Sequence, residues 1–420
     1  MAKAKYTTHL GMVDILPGEV EQWRALENII HEEAAKFNFE EIRTPIMEQT
    51  ELIKRGIGQL TDIVTKEIFA FTKGDSNYVL RPELTAPVVR SYVENHLDQR
   101  GGSQKLYYIG PMFRAERPQK GRQRQFHQFG VEIIGSDNPV ADVECIAFMM
   151  RIYQRIGIKN FDLKLNSVGD PESREAYKAV LKEYLQPNFD KLSELSQKRL
   201  EKNPMRILDS KEKEDQEFIK NAPIIGDYLN EESKAHFDQV CGMLKSLDID
   251  FTLDPLLVRG MDYYTRTAFE LTSPDLGSQD ALAGGGRYDL LVEEIGGKPT
   301  PAVGFAAGME RLFIACEELD ITLADAKKVD VFIVSLGEEA RKWALKTLPK
   351  IRENGISATM DYLDRSMRAQ MKDANRENAS FTIIVGDNEL NEGKFTLRNM
   401  KESDESQLTL EEILVKLSNS

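Results

Sequence analysis

The sequence predicts an α/β protein built in three parts, and three observations carry that reading. Residues 105–135 have the period-two alternation of an antiparallel hairpin. Across residues 171–250 the composition becomes rich in Lys and Glu, poor in glycine and mostly helical in pattern. Beyond Val329, apolar strands alternate with helical stretches, the order that builds a small, mostly parallel three-layer domain. A chain of 420 residues has room for two or three such domains.

Residues 19–37 are predicted to be a helix, with Trp23, Leu26, Ile29 and Ile30 on one side. Residues 41–45 read as a strand stopped by Pro45, which has no N–H to give a ladder. Residues 77–80 form a short strand leading into Arg81-Pro82-Glu83-Leu84-Thr85-Ala86-Pro87, a helix start with prolines where a first turn tolerates them. On the first strand of the hairpin, Tyr108, Met112, Arg114 and Glu116 share a face. On the second, Phe126, Gln128, Gly130, Glu132 and Ile134 share one face, while Phe129, Val131 and Ile133 take the other. Such a polar face lines a site or meets water, and Phe126 and Ile134 argue against bulk water.

Residues 209–218 read as a solvated, charged piece of the helical part. Thr265, Thr267, Phe269 and Leu271 then alternate as a strand should. Residues 283–289, with three successive glycines, read as a turn, either one whose backbone approaches a ligand or a plain tight hairpin turn. Residues 302–312 read as a strand running into a helix, with Arg311 in its first turns; its small residues suit helix packing or close approach to a ligand. In the last part, strands are predicted at 329–335, 356–360, 381–385 and 394–399, and helices at 338–354, 366–378 and 410–417.

Composition excludes several classes. Hydrophobic content of 41% with 30% charged residues is that of a soluble globular protein. No run of 18 apolar residues exists, so no membrane span is expected. The first residues have no apolar core of a secretory signal. Cys145, Cys241 and Cys316 lie far apart with no CxxC pair, which fits a reducing cytosol and a cytoplasmic protein. The five histidines show no HxxxH spacing, so neither zinc nor any other protein-held metal is expected. Neither GxGxxG nor GK[ST] occurs, so a Rossmann or P-loop site is not supported. A net charge of −14 rules out a generic basic coat for nucleic acid, and any such contact must come from a local patch. One patch exists: Arg117 to Arg124, the tip of the hairpin, has four basic residues and no acid. It is either a solvated tip or a contact for a phosphate-rich ligand.

The most informative run is LVRGMDYYTRTAFEL, from Leu257 to Leu271. It places Arg259 beside Tyr263 and Tyr264. A cation that cannot be deprotonated next to two phenols suits a pocket for an anionic, polar ligand of aromatic size. A salt-bridged arginine in an aromatic core is the plainer alternative.

Together these residues resemble class II aminoacyl-tRNA synthetases, and among them the histidyl-tRNA synthetases of the bacterial type, over nearly the whole chain. Arg43-Thr44-Pro45 looks like the end of the first class motif, which builds a dimer interface. Phe113-Arg114-Ala115-Glu116 through Glu132 looks like the second, and Gly304 to Arg311 like the third. LVRGMDYY and AGGGRYD resemble segments specific to the histidine enzymes, with Met261 where the family more often has leucine. The resemblance implies a catalytic domain at 1–170 and 251–325 on a mixed, mainly antiparallel sheet flanked by helices. It also implies a helical insertion at 171–250 and an anticodon-binding α/β domain at 329–420. The implied activity joins L-histidine to tRNA(His) using ATP with Mg²⁺, through a histidyl-adenylate, in a homodimer.

By the same resemblance, Arg114 would hold the α-phosphate, Arg311 the γ-phosphate, and Arg259 the α-phosphate and the histidine carboxylate. Glu116 would meet the adenine and Phe126 would stack on it. Glu83, Thr85 and Gln128 would take the α-amino group. Glu132 and Tyr264 would contact the imidazole nitrogens, with Tyr263 beside them. Gln119, Arg122 and Arg124 would approach the acceptor end of the tRNA. Residues 330–420 carry 13 Lys and Arg against 16 Asp and Glu, so an anticodon role for them rests on resemblance and not on charge. The nearest alternative is a non-catalytic relative, the regulatory subunit of ATP phosphoribosyltransferase. Such a chain typically lacks the last domain and has eroded arginines, whereas Arg114, Arg259, Arg311 and that domain are all present here. The histidine-specific segments argue against a threonine or proline synthetase, and the intact ATP-side residues against a binding-only RNA protein.

Overall fold

The computed structural model describes residues 4–58, 61, 63–274, 281–326 and 328–418. They fall into two compact units, one comprising residues 22–323 with the first 16, the other 324–420 with residues 17–21.

The chain opens with α1 (Val20–Lys36), β1 (Glu40–Glu41) and β2 (Met47–Gln49). Then come α2 (Thr50–Ile57), β3 (Phe69–Lys73), β4 (Ser76–Leu80) and α3 (Thr85–Glu94). The hairpin is β5 (Gln104–Phe113) and β6 (Gln125–Ile134), followed by α4 (Pro139–Ile156) and β7 (Asp162–Ser167). Four helices follow: α5 (Pro171–Leu185), α6 (Glu194–Lys202), α7 (Lys213–Lys220) and α8 (Glu231–Ser246). The first unit ends with β8 (Thr252–Leu253), β9 (Thr265–Thr272), β10 (Ala281–Arg287), α9 (Leu291–Glu294), β11 (Ala302–Gly308) and α10 (Met309–Glu318).

Its main sheet has the order β1-β5-β6-β11-β10-β9-β7-β8. The six inner strands are antiparallel, and only β1 and β8 add in parallel at the two edges. Period-two alternation divides the sheet into two faces. Phe129, Val131, Phe269, Leu271 and Phe305 point to one face and pack with Leu26 and Ile30 of α1 and Ile146, Met149 and Tyr153 of α4. This is the large core. The opposite face carries the polar and small residues on which the site is built.

The strand expected at 41–45 shrinks to Glu40–Glu41. The Arg81 guanidinium takes the carbonyls of Thr44 at 2.7 Å and Pro45 at 3.3 Å, so that backbone is bonded to a side chain and not to a ladder. The charged stretch 209–218 also differs from a wholly solvated piece. Asp215 is fully buried and accepts hydrogen bonds from the hydroxyls of Ser193, Ser196 and Ser210 at 2.8, 2.6 and 2.5 Å. Burial raises its carboxyl and these donors more than offset that, leaving its pKa below the usual value.

The second unit contains β12 (Val331–Ser335), α11 (Glu338–Glu353), β13 (Ala358–Met360), α12 (Met367–Arg376) and β14 (Phe381–Val385). It closes with α13 (Asp387–Glu392), β15 (Phe395–Asn399), β16 (Glu405–Leu408) and α14 (Leu410–Ser418). Its sheet order is β13-β12-β14-β15-β16. The first three strands are parallel and the last two antiparallel, so the sheet is mixed where a mostly parallel one was expected. The reason is that the links from β14 to β15 (residues 386–394) and from β15 to β16 (residues 400–404) are both shorter than a parallel crossover requires. Val331, Ile333 and Ile383 pack with α11 and α14 on one face, and Phe332, Val334 and Ile384 with Ala374 of α12 on the other.

Candidate active site

Cross-strand register builds a trough on the polar face of the main sheet. Gly130 pairs with Ala306, Ala306 with Gly284, and Gly284 with Glu270. In the adjacent row Glu132 pairs with Gly304, Gly304 with Gly286, and Gly286 with Ala268. Small residues in adjacent rows leave room above the sheet for side chains from elsewhere. A Cβ at Gly284 would collide with the Arg259 guanidinium, and one at Gly304 with the Glu132 carboxylate. The triple-glycine segment was expected to be a turn. It is β10, an inner strand paired on both sides, and its glycines serve the side chains that cross it.

The trough is the floor of a cavity of about 280 Å³. Eleven of the predicted site residues line it: Glu83, Thr85, Arg114, Glu116, Arg122, Phe126, Gln128, Arg259, Tyr263, Tyr264 and Arg311. They come from the start of α3, the hairpin, the loop before β9 and the first turn of α10. Arg114 anchors through Nε to the Pro82 carbonyl at 2.9 Å and lies over the Phe126 ring, 5.2 Å from its centroid. Arg311 donates to the Ala281 carbonyl at 2.8 Å. Burial pulls both guanidinium groups below their ordinary pKa, yet an arginine stays cationic. Arg259 donates to Glu270 at 2.5 Å, and its buried Nε meets no acceptor among the described residues. Burial works against the Arg259 charge, and Glu270 more than offsets it.

At the α3 end, the Glu83 carboxylate accepts from the backbone N–H of Thr85 at 2.6 Å and of Ala86 at 3.0 Å, capping the helix. Burial pushes its pKa up, against those N–H groups. The buried Gln128 Oε1 has no donor among the described residues. The Tyr263 and Tyr264 rings sit 4.6 Å apart, and burial raises both phenols.

Three predicted residues are not on the wall. Glu132 is fully buried behind it, where Thr85 donates at 2.8 Å and Tyr108 at 3.2 Å, and Tyr288 donates to its other oxygen. Burial pushes its carboxyl up to about 8. Hairpin parity placed Glu132 on the correct face, but three hydroxyls cover it. Gln119 and Arg124 lie in the loop, away from the cavity. Gln119 closes a tight turn with Arg122 through paired backbone bonds of 3.0 and 2.9 Å, and Arg124 N donates to the Gly11 carbonyl at 2.7 Å. Of the three loop residues Arg122 alone lines the cavity, with its guanidinium 3.2 Å from the Glu116 carboxylate, while Arg124 Nε donates to the Glu116 carbonyl at 3.3 Å.

Sequence reasoning missed Glu270, Glu310 and Tyr288. Glu270 was detectable, being the acid between Phe269 and Leu271 on the polar side of its strand. Glu310 lines the cavity and accepts from His127 N and Nδ1 at 2.9 and 3.0 Å. Arg287, from the same glycine segment, is buried away from the cavity and bonded to Asp142. Among the described residues no group of three or more His, Cys, Asp or Glu is arranged to hold a metal ion.

An antiparallel sheet whose hairpin, strand-to-helix turn and loop before β9 bring arginines to one cavity, over a floor of small residues, defines the catalytic core of a class II aminoacyl-tRNA synthetase. Residues 11–312 match the family model of histidyl-tRNA synthetase, and residues 330–420 match that of an anticodon binding domain. The chain belongs to the histidyl-tRNA synthetase family, whose members are ATP-dependent aminoacyl-tRNA ligases. It is 49% identical to a histidine–tRNA ligase of Chloroherpeton thalassium over 417 residues, 98% of each chain. The apo histidyl-tRNA synthetase of S. aureus superposes with a TM-score of 0.83 at 41% identity, covering 98% of this chain and 100% of that one. A Bacillus halodurans structure, described as an ATP phosphoribosyltransferase regulatory subunit/histidyl-tRNA synthetase, gives 0.66 at 25% identity, covering 91% and 99%.

Proposed function

We propose that this chain is a histidine–tRNA ligase that activates L-histidine with ATP and then transfers it to the 3′ end of tRNA(His), and that the cavity described above performs the chemistry. The observation that carries this reading is the convergence of Arg114, Arg259 and Arg311 from three separate segments on one cavity. The same observation argues against a regulatory relative with eroded arginines. In activation, a carboxylate oxygen of histidine attacks the α-phosphorus in line, and pyrophosphate leaves. In transfer, a terminal tRNA hydroxyl attacks the adenylate carbonyl and AMP leaves. The protein's task is to position the reactants and to stabilise negative charge spread over the phosphoryl oxygens.

In our assignment Arg114 meets the α-phosphate, Arg311 the γ-phosphate, and Arg259 the α-phosphate and the amino-acid carboxylate. Phe126 stacks on adenine beside Glu116. Gln128 Oε1, without a donor among the described residues, is an acceptor suited to the α-amino group, with Glu83 and Thr85 next to it. Tyr264 faces the imidazole with Tyr263, and Glu132, behind the wall, accepts from the Thr85 hydroxyl and so orients it at the α-amino end. Magnesium would come with ATP and would supply charge neutralisation on the triphosphate. It needs one or two protein carboxylates at most, and Glu116, Glu270 and Glu310 on the wall fit that requirement.

The domain roles are proposals of the same kind: catalysis at 1–170 and 251–325, a helical insertion at 171–250, and anticodon binding at 329–420. We also propose a cytoplasmic homodimer. Ile46 and Met47, 43% and 53% exposed, lead from Pro45 into the edge strand β2 and support the dimer. Sedimentation of an active monomer at assay concentration would refute it. No helix among the described residues is long and apolar enough to cross a membrane. The test of the whole reading is ATP–pyrophosphate exchange across the amino acids. Histidine alone should support rapid exchange; equal rates with threonine or proline would overturn it.

A further inference from the structure

The helices from α5 to α8 contribute nothing to the cavity wall, yet side chains from this segment grip the loop that carries Arg259, Tyr263 and Tyr264. That loop, residues 254–264, joins β8 to β9 without regular structure, so its carbonyls enter no ladder. Arg206, between α6 and α7, donates through Nη2 to the Gly260 carbonyl at 2.5 Å and to Asp262 Oδ1 at 3.2 Å. Asn203 donates to the same Asp262 oxygen at 3.0 Å. Arg174, on α5, donates to the carbonyls of Tyr264 at 2.9 Å and Asp262 at 3.3 Å. From the other side, Asp262 N donates to the Ile57 carbonyl at 3.0 Å. Gly260 directly follows Arg259, so the carbonyl that Arg206 holds fixes the backbone from which the Arg259 side chain extends.

We infer that Arg206 is a positioning residue for amino-acid activation, acting through Arg259, and that the helical segment thereby takes part in the chemistry of the first step. The inference rests on the functional reading above. A planar guanidinium suits the task because Nε and Nη2 together hold Asp262 Oδ1, at 3.4 and 3.2 Å, while Nη2 also holds the Gly260 carbonyl, a fixed side-on geometry that lysine's point-like ammonium does not reproduce. The Arg206–Asp262 pair is partly exposed, with side-chain exposures of 16% and 31%, so its value lies in geometry more than in stability.

The test is pyrophosphate exchange with histidine in the full-length wild type, Arg206→Ala, Arg206→Lys, Arg259→Ala and the Arg206→Ala/Arg259→Ala double variant. Arg206→Ala should lower kcat about 10- to 100-fold, the scale of a small misplacement of a reacting group, with the KM for ATP little changed. Arg206→Lys should recover only part of the loss. In the Arg259→Ala background, removing Arg206 should cost almost nothing more, because both changes act through one guanidinium. An unchanged kcat in Arg206→Ala, or the same fold-loss in both backgrounds, overturns the inference. If Arg206→Ala does not fold, Arg206→Lys decides, and a wild-type kcat there overturns it. A wild-type chain that exchanges no pyrophosphate with histidine fails differently: it overturns the functional reading, and the inference with it.

Discussion

Arg259 and Glu270 meet as an ion pair at 2.5 Å, with the guanidinium lying over Gly284, the cross-strand neighbour of Glu270. One acid therefore orients the cation while Nε is left without an acceptor among the described residues. A half-satisfied buried guanidinium is arranged to receive an anion.

Replacing Arg259 with alanine should slow activation by roughly 10²–10³, the cost of removing one transition-state donor. Histidine binding should weaken far less, because the interaction matters most in the transition state. Pre-steady-state adenylate formation and histidine titration on the same variant check this. Activation at nearly the wild-type rate would remove Arg259 from its central role.

Gly284→Ala changes no charge, but its methyl group occupies the space of the Arg259 guanidinium. Activation should fall about 10- to 100-fold through displacement of that group. The check is exchange kinetics beside a thermal melt. A folded Gly284→Ala protein with full activity would show that Arg259 acts from elsewhere.

Glu132 gives a pH dependence with a definite sign. Its folded pKa, about 8, lies above the ordinary carboxylate value, with burial the main cause. Between the two values the folded protein keeps a proton that the unfolded chain has released. The stability contribution of this group is therefore fully present at low pH and is lost as pH rises toward 8. Glu132→Gln keeps the neutral form. Its stability relative to wild type should improve on going from pH 5 to pH 8, by up to about 1.4 kcal/mol per pH unit. Denaturant unfolding across that range measures the difference, and a flat difference would mean that the carboxyl is already ionised.

Exchange should require Mg²⁺, supplied with ATP, and the purified protein should hold no structural zinc. Cys145 and Cys316 are buried, and burial pushes both thiols up, away from the thiolate that zinc binds. Elemental analysis and EDTA titration test the two halves separately. One tightly held zinc per chain would overturn the second.

A chain ending at Ala326 should fold, because the cores of the two units are separate clusters and the cut passes through neither. It should exchange pyrophosphate with histidine, at a rate lowered if dimer contacts are lost. Charging of tRNA should fall much further. Measuring both reactions on the same truncated protein is the test; charging at the full-length rate and affinity would show that the last domain is not the anticodon reader.

The sequence by itself determined what depends on local period and residue type. Alternation placed Gln128, Gly130 and Glu132 on one face of β6, and small residues followed by Arg311 marked the strand-to-helix turn of β11 and α10. The arginines were legible because few other roles place that side chain beside phenols and carboxylates. Tertiary structure decided the rest, where a residue's meaning depends on what crosses it. Three glycines read locally as a turn; they form an inner strand because Arg259 and Tyr264 pass over it. Glu132 carries the polarity of a wall residue, and the hydroxyls of Thr85, Tyr108 and Tyr288, far away in sequence, cover it. Asp215 sits in a charged run and is buried because three serines converge on it. Nothing in the local pattern of Asn203 or Arg206 points to Asp262, more than 50 residues away. Period reports which way a side chain faces, and only the packed chain sets what it meets there.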